Sequence, residues 1–438
     1  MVISRTKDWL KSKIQSDFRR NALWYTGLSG FQRFVAMIQT ILIARALGIT
    51  EYGVYGLLFG TIGLVASTAG LQMGLTATVF VARYKQSEQA MAASVIAVVS
   101  RFGWLVASII LLVSVPFSSE ISEYLLRSPV YRVSVVIGAV FIGLSIVSGI
   151  QDGIAQGFEE FEAVAKINAA SSIIVLIGIL PAAKFFGLMG VLLVILMGCF
   201  IKLIVLGRVI SGARSFHAIP DRGDGVSFFS LVSNFALPSM LVSLGLGGVT
   251  WIGMFMLSRR ASGFDGVAIV NTGLQWRGPV LLFLSAVNAV AIPKFSRLHA
   301  EGDAAGSASL RKRLVVANFC VAVAVGLLVV LGSGIIMSIY GKEFIGGRLA
   351  FNLIILSTIP MVVANVYMQE LVGSGLMWRQ LLLNIPLFIV MILCFIFLVP
   401  WLNVTGYAIS LLAGSVVFLL SVLIAEVYFE RKRVSPSA

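Results

Sequence analysis

The sequence predicts an all-α polytopic membrane protein with about 12 transmembrane helices. Hydrophobic residues make up 58% of the chain and charged residues only 12%, whereas soluble domains are about 25% charged. The mean hydropathy is +0.98. Long apolar runs recur along the whole chain, and the single-residue alternation of a transmembrane barrel is absent from them.

The apolar runs predict twelve spans, because about 20 apolar residues cross a bilayer core. They lie at 22–46, 53–82, 93–117, 130–152, 164–184, 187–210, 228–257, 266–291, 314–338, 349–374, 380–400 and 404–428. We expect five regions: a basic amphipathic segment at 1–20, an N-terminal six-helix lobe at 21–212, a linker at 213–227, a C-terminal six-helix lobe at 228–429 and a basic tail at 430–438.

The first 20 residues combine apolar residues at helical spacing with lysines and arginines, and we expect no cleavable signal peptide among them. This pattern fits either a helix lying on an anionic membrane face or a solvated basic tail. With the N-terminus inside, most of the 33 lysines and arginines fall on the inner side. The positive-inside rule therefore predicts that both termini are cytoplasmic.

A faint internal repeat divides the chain into halves. Arg45-Ala46-Leu47-Gly48 follows span 1, and Arg260-Ala261-Ser262-Gly263 follows span 7. Each block predicts a tight turn that contains a glycine. Two halves of six spans keep the same orientation, so an axis along the membrane normal would relate them.

Metal or redox chemistry finds no support in the sequence. Cys199, Cys320 and Cys394 sit in apolar runs without metal-ligand spacing, and the two histidines have no ligand cluster nearby. We expect no metal, no other cofactor, no enzymatic activity and no nucleic-acid partner.

Two arginines inside predicted spans are the strongest candidates for a binding site. Arg33 lies near the middle of span 1, and Arg277 lies in span 8 beside Gly278 and Pro279, where we expect a local helix break. A guanidinium inside a bilayer should face protein or water, and its planar fork suits phosphate. The alternative is that each arginine neutralises a carboxylate or snorkels to a headgroup. Polar groups expected to assist are Gln32, Gln39, Asn271 and Gln275.

The acids inside the spans are fewer. Glu370 in span 10 is a candidate for ion coupling, since a buried carboxylate can take up a proton or sodium ion. The alternative is an ion pair with a nearby arginine. Lys202 lies within snorkelling reach of the cytoplasmic face, and we expect it to have a structural role.

Several segments, in order along the chain, resemble the polysaccharide biosynthesis exporters, the flippases of O-antigen and exopolysaccharide repeat units. Their superfamily also holds the multidrug and toxic-compound extruders. The segments are RALGITEYGVY at 45–55, QGFEEF at 156–161, AKIN at 165–168, ALP at 236–238, IPKFSRL at 292–298 and YGKEF at 340–344.

The resemblance implies two six-helix lobes around a central cavity, in a multi-pass protein of the bacterial inner membrane. It implies transport of a polyprenyl-diphosphate-linked oligosaccharide, in contact with membrane lipids and other polysaccharide-assembly proteins. Arginines on spans 1 and 8 line the cavity of the related lipid II flippases, which gives Arg33 and Arg277 the role of binding the diphosphate. Those flippases have fourteen spans, so the twelve here favour a surface-polysaccharide precursor.

Other functions remain open from the sequence. A multidrug or cation extruder of the same superfamily should carry dominant acids in its cavity, whereas arginines outnumber acids here. A membrane glycosyltransferase or polymerase needs a substantial outer loop with acids or histidines, and the loop near 118–129 offers only Glu120 and Glu123. A scaffold protein would leave the central arginines unexplained.

Overall fold

The computed structural model describes residues 2–85, 89–213, 237–288, 295, 298, 303–373 and 377–434. These residues form helices, two short 3-10 turns and loops, and no β-strand occurs among them. Eight segments are long and apolar enough to cross a membrane. Three of these segments turn in the middle and therefore each contain two spans. The helix Gly263–Asn288 is a further span in addition to the eight segments. The described residues thus contain twelve spans, and the predicted all-α membrane fold is confirmed.

Six spans come from the first half of the chain. Helix α1 (Val2–Ala69) turns at Gly48, so span 1 ends at Leu47 and the first part of span 2 follows the turn. Helix α2 (Met73–Tyr84) completes span 2. Span 3 is α3 (Gln89–Ser114), a short helix α4 (Ser118–Leu126) follows, and span 4 is α5 (Arg132–Gly157). Helix α6 (Phe161–Ala213) turns at Gly187 and forms spans 5 and 6.

The second half repeats this order. Spans 7 and 8 are α7 (Leu237–Ser258) and α8 (Gly263–Asn288). Span 9 is α9 (Ala304–Leu331), followed by a short α10 (Ser333–Tyr340). Span 10 consists of α11 (Arg348–Leu356) and α12 (Thr358–Gly373). Helix α13 (Met377–Val434) turns at Asn403 and forms spans 11 and 12.

Contacts across the turns at Gly187 and Asn403 show that the chain folds back on itself there. Ser171 Oγ donates to the carbonyl of Gly198, 2.9 Å away, although the two residues lie on opposite sides of Gly187. The rings of Phe395 and Tyr407 stack with centroids 4.9 Å apart across Asn403. The helices before and after each turn are therefore two antiparallel spans, although they follow each other without a loop.

Backbone angles support the internal repeat. Gly48 after span 1 and Gly263 after span 7 both have positive φ, at 79° and 50°. The turns between spans 5 and 6 and between spans 11 and 12 also match, with φ and ψ of 55° and −139° at Gly187 and 48° and −122° at Asn403. These conformations favour glycine because a Cβ clashes there.

Three sequence predictions need correction. Span 2 is broken at Gly70–Gln72, where Leu71 and Gln72 adopt φ of 48° and 51°. The expected outer loop near 118–129 contains helix α4. Span 8 continues through Gly278 and Pro279 without the expected break, because packed neighbours can satisfy the carbonyl that a proline frees.

The predicted boundary regions are only partly described. The backbone of the basic segment at 1–20 is helical from Val2 and continues directly into span 1. The linker at 213–227 lies outside the described residues except for residue 213, and so do residues 228–236 of the second predicted lobe.

Hydrogen bonds between the two halves concentrate at one end of the bundle, which we call the closed end. It contains the turns at Gly48 and Gly263 and the helix α4. Thr50 Oγ1 donates to Asp265 Oδ1 at 2.6 Å, and Arg45 Nε donates to the carbonyl of Ile339 at 2.6 Å. Two further hydrogen bonds join the halves away from this end, from Trp251 Nε1 to Thr61 Oγ1 at 2.7 Å and from Gln72 Nε2 to Ser243 Oγ at 3.2 Å. We call the two halves the first and the second lobe.

Two arginines cross between the lobes in a reciprocal arrangement at the closed end. Arg127 Nη1 of the first lobe donates to the carbonyl of Ser258 at 3.2 Å. Arg259 of the second lobe donates to the carbonyl of Tyr124, and its guanidinium lies 5.5 Å from the centroid of the Tyr124 ring in the first lobe. Charged donors and ring contacts together hold this end shut.

Candidate functional site

Arg33 lies on the face of span 1 that turns toward the second lobe. It precedes Thr40 by seven residues, and this spacing places both on one helix face. Thr40 is buried, and its Oγ1 lies 3.3 Å from Tyr340 Oη of the second lobe. Arg33 lies about 10 Å further from the closed end than Thr40 does, and its side chain is exposed. An exposed guanidinium on this face is available to an anion between the lobes.

The two glutamines of span 1 point elsewhere. Gln39 Nε2 donates to the carbonyl of Ser172 in span 5, 2.7 Å away. Gln32 precedes Gln39 by seven residues and shares its face, about a third of a turn away from Arg33. The structure therefore places Gln32 and Gln39 on the side of the first lobe's own interior.

Asn271 and Gln275 lie on the face of span 8 that meets span 2. A Cβ built on Gly56 would lie 3.2 Å from the side-chain amide of Asn271, so the two spans touch there. Gln275 follows one turn later on the same face and is exposed. These two residues and Arg33 thus occupy the faces that the lobes turn toward each other.

Arg277 has a different environment. Its Nη2 lies 2.8 Å from Met361 Sδ in span 10, and its Nε is buried without a hydrogen-bond partner. Gly273, one turn earlier on the same face, also packs on span 10 through Ile354. The guanidinium therefore points into the second lobe, and among the described residues no contact joins it to Arg33.

Glu370 belongs to an ion cluster of spans 9, 10 and 12. Its Oε1 accepts from Ser307 Oγ at 2.7 Å, and its Oε2 lies 2.9 Å from Arg311 Nη1. Arg311 Nη2 lies 2.5 Å from Glu426 Oε1, and its guanidinium lies 5.5 Å from the ring centroid of Tyr367. One arginine thus bridges two carboxylates, which is the ion-pair alternative considered from the sequence.

Lys202 does not snorkel away from the bundle. Its Nζ lies 2.6 Å from Asp152 Oδ2, and this ion pair joins span 6 to span 4 within the first lobe. Both side chains are about one-fifth exposed. Because Asp152 lies fifty residues away, only the packing of the spans brings the pair together.

A cavity of about 510 Å³ lies beside this ion pair, between spans 2 and 4. The sequence patterns do not predict this cavity. Gly149, Gly153 and Gly157 recur every four residues, and small residues at this spacing let helices approach closely. This spacing could have indicated the crossing of spans 2 and 4 beside which the cavity lies. A Cβ on Gly74 would lie 2.5 Å from the carbonyl of Gly149, so the helix backbones touch at this crossing.

Among the described residues, no group of three or more His, Cys, Asp and Glu side chains could hold a metal ion. Cys199, Cys320 and Cys394 are free thiols.

Solved structures with the same fold are transporters. The chain aligns over 93% of its length, and 96% of the other chain, with an inward-facing multidrug resistance MATE family transporter of the MOP superfamily (TM-score 0.79, 14% identity). It also aligns with a MOP superfamily transporter from Pyrococcus furiosus, described as having a binding pocket of reverse polarity (TM-score 0.72, 14% identity, 95% and 96% coverage). An outward-facing MATE structure gives a TM-score of 0.69 at 14% identity, with 94% and 95% coverage. These identities show the fold alone.

No curated protein sequence matches the chain. The polysaccharide biosynthesis protein family matches residues 18–299. This match covers more than half of the sequence, includes spans 1 to 8 and agrees with the resemblance of the separate segments. The chain belongs to the polysaccharide biosynthesis protein family.

Proposed function

We propose that this protein is a flippase that moves a polyprenyl-diphosphate-linked oligosaccharide across the bacterial inner membrane for surface-polysaccharide synthesis. The observation that carries the proposal is Arg33, an exposed guanidinium on the interlobe face of an otherwise apolar span. Family membership supports a carbohydrate cargo, and the two-lobe fold supports transport.

The mechanism follows from the placement of charge and contacts. The diphosphate binds Arg33 from the side opposite the closed end, with two oxygens on the guanidinium fork. Low dielectric strengthens this attraction, while the polyprenyl tail stays in lipid. Opening the closed end and closing the other then exposes the sugar on the far side, as alternating access requires. Both termini lie in the cytoplasm, where other polysaccharide-assembly proteins can bind.

Arg277 is the second arginine of the proposed site. Its Nε–H has no hydrogen-bond partner and can donate to a phosphate oxygen. To reach the diphosphate, the side chain must move away from Met361. Glu370 is the proposed ion-coupling residue, which requires that its bond to Arg311 weaken during the cycle. Asn271 and Gln275 would bind polar groups of the head, and Gln32 and Gln39 would join them only after turning from the face toward span 5.

Transport in proteoliposomes tests the role of Arg33. We expect Arg33→Ala to lower the rate of movement of a fluorescent polyprenyl-diphosphate disaccharide about tenfold or more, because a charge-assisted hydrogen bond contributes about 1.5–3 kcal/mol. Arg33→Lys should be intermediate, since it keeps the charge but loses the fork. Arg101→Ala is the matched control, because Arg101 is also an exposed arginine within a span of the first lobe. Equal rates for Arg33→Ala and Arg101→Ala would contradict the proposal.

The fold also favours a second candidate, a cation or drug extruder, because a structural neighbour is a multidrug resistance transporter. The same liposomes loaded with a cationic dye distinguish the two. Dye export without lipid movement would support the extruder and overturn the flippase.

A further inference from the structure

The break in span 2 forms one wall of the cavity between spans 2 and 4. Gly70, Gln72 and Met73 line it, and Leu71 and Gln72 leave the helical conformation there. Irregular backbone at membrane depth is tolerated only inside protein or beside water, because lipid cannot satisfy its peptide groups. The break is therefore consistent with a cavity that holds polar contents.

The cavity wall is mostly apolar and carries a few polar groups of balanced charge. Ser67, Gln72, Ser145 and Gln156 supply hydroxyls and amides. Both serine hydroxyls donate to carbonyls of their own helices, and Gln72 Nε2 donates to Ser243 Oγ, so these three groups are left mainly as acceptors. Asp152 supplies a carboxylate, and the ammonium of Lys202 at 2.6 Å neutralises it. A wall of this kind selects neither a free anion nor a free cation. It matches a neutral ligand that combines apolar C–H faces with hydroxyl groups, which both donate and accept hydrogen bonds.

One oxygen just behind this wall lacks a partner. Asp152 Oδ1 is buried and makes no hydrogen bond with the described residues. A buried carboxylate oxygen without a donor is unfavourable, and a ligand hydroxyl would satisfy it once the side chain turns toward the cavity. The volume of about 510 Å³ also falls within the range of about 300–1,000 Å³ that small-molecule pockets occupy.

Two glycines of the wall face open space. A Cβ built on Gly63 or Gly149 would have no atom within 4 Å, and both residues are exposed. Gly153, one turn after Gly149, differs because a Cβ there would overlap the backbone of Gly74. Helix packing explains Gly153, whereas at Gly149 the missing side chain only enlarges the cavity.

We propose that this cavity binds a neutral sugar residue of the lipid-linked oligosaccharide, separately from the arginine that binds the diphosphate. The inference rests on the proposed function, because it assumes a cargo that contains both groups. It assigns sugar recognition to Gln72, Asp152 and Gln156, all in the first lobe.

The test compares binding of two fluorescent lipids to the purified protein. One is a polyprenyl diphosphate that carries a neutral disaccharide, and the other is the same lipid without sugar. We expect the wild type to bind the sugar-bearing lipid at least about tenfold more tightly, which two or three added hydrogen bonds would produce. Gly149→Leu should fill the cavity and abolish this preference, while its Kd for the sugar-free lipid stays unchanged.

Gly212→Leu is the matched control. Gly212 is also exposed with no atom within 4 Å of a built Cβ, but it lies near the end of span 6 and does not line the cavity. It should keep the wild-type preference. The inference is wrong if Gly149→Leu keeps that preference, if the wild type binds both lipids equally, or if Gly149→Leu weakens both equally. If the wild type binds neither lipid, the proposed function itself fails.

Discussion

At the scale of single residues, a charge pair joins two spans of the first lobe. Lys202 and Asp152 are 2.6 Å apart and partly buried. Removing one partner leaves the other charge unpaired, which costs about 3–5 kcal/mol when the pair is fully buried. The exposed fifth of each side chain makes the lower end of this range appropriate.

We therefore predict that Lys202→Met lowers the apparent Tm of the detergent-solubilised protein. The double variant Lys202→Met with Asp152→Asn should recover part of the loss, because no unpaired charge remains. Thermal unfolding followed by intrinsic fluorescence measures both. A double variant no more stable than Lys202→Met would contradict the ion-pair explanation.

Sequence patterns predicted which residues are unusual but not which partners they meet. Arg33 could be recognised because it interrupts an apolar run. The partner of Lys202 lies in span 4, and the partner of Glu370 is Arg311 in span 9. These pairs form only when particular spans become neighbours, and hydropathy carries no information about that order.

At the scale of helices, the turns between the last two spans of each lobe share one backbone conformation but differ in residue type. Gly187 and Asn403 adopt nearly the same φ and ψ. Glycine adopts this conformation without strain, whereas a residue with a Cβ loses about 1–3 kcal/mol of stability in such regions. We predict that Asn403→Gly raises the apparent Tm and that Gly187→Ala lowers it.

Asn403→Ala serves as the control in the same thermal measurement. It should lower the Tm, since alanine keeps the Cβ and loses the polar side chain that lets asparagine tolerate positive φ. A Tm for Asn403→Gly below the wild-type value would show that the asparagine side chain stabilises the turn.

The helix break at Gly70–Gln72 marks the limit of prediction from hydropathy. The apolar run continues across it, so hydropathy predicts a single span from 53 to 82. Gly70 and Gly74 flank the break, but Leu71 and Gln72 adopt the left-handed conformation, and nothing local in their side chains requires it. The backbones of spans 2 and 4 touch directly after the break, at Gly74, and hydropathy does not show this contact.

At the scale of the whole molecule, transport requires the closed end to open. Thr50 and Asp265 belong to different lobes and are joined by a hydrogen bond of 2.6 Å. Rigid-body movement of the lobes must separate them. A covalent link at this point should therefore hold the protein in the conformation described here.

We predict that Thr50→Cys with Asp265→Cys, in a background where the three native cysteines are replaced, loses lipid transport after treatment with a short, cleavable bifunctional thiol reagent. Cleaving the link should restore transport. Ser333→Cys with Arg348→Cys is the matched control, because Arg348 Nε lies 2.9 Å from Ser333 Oγ within the second lobe. A link inside one lobe should leave transport intact, since each lobe moves as a unit. If the interlobe link is complete by gel shift and transport continues, the lobes do not part at this end, and the substrate must cross without the opening that alternating access requires.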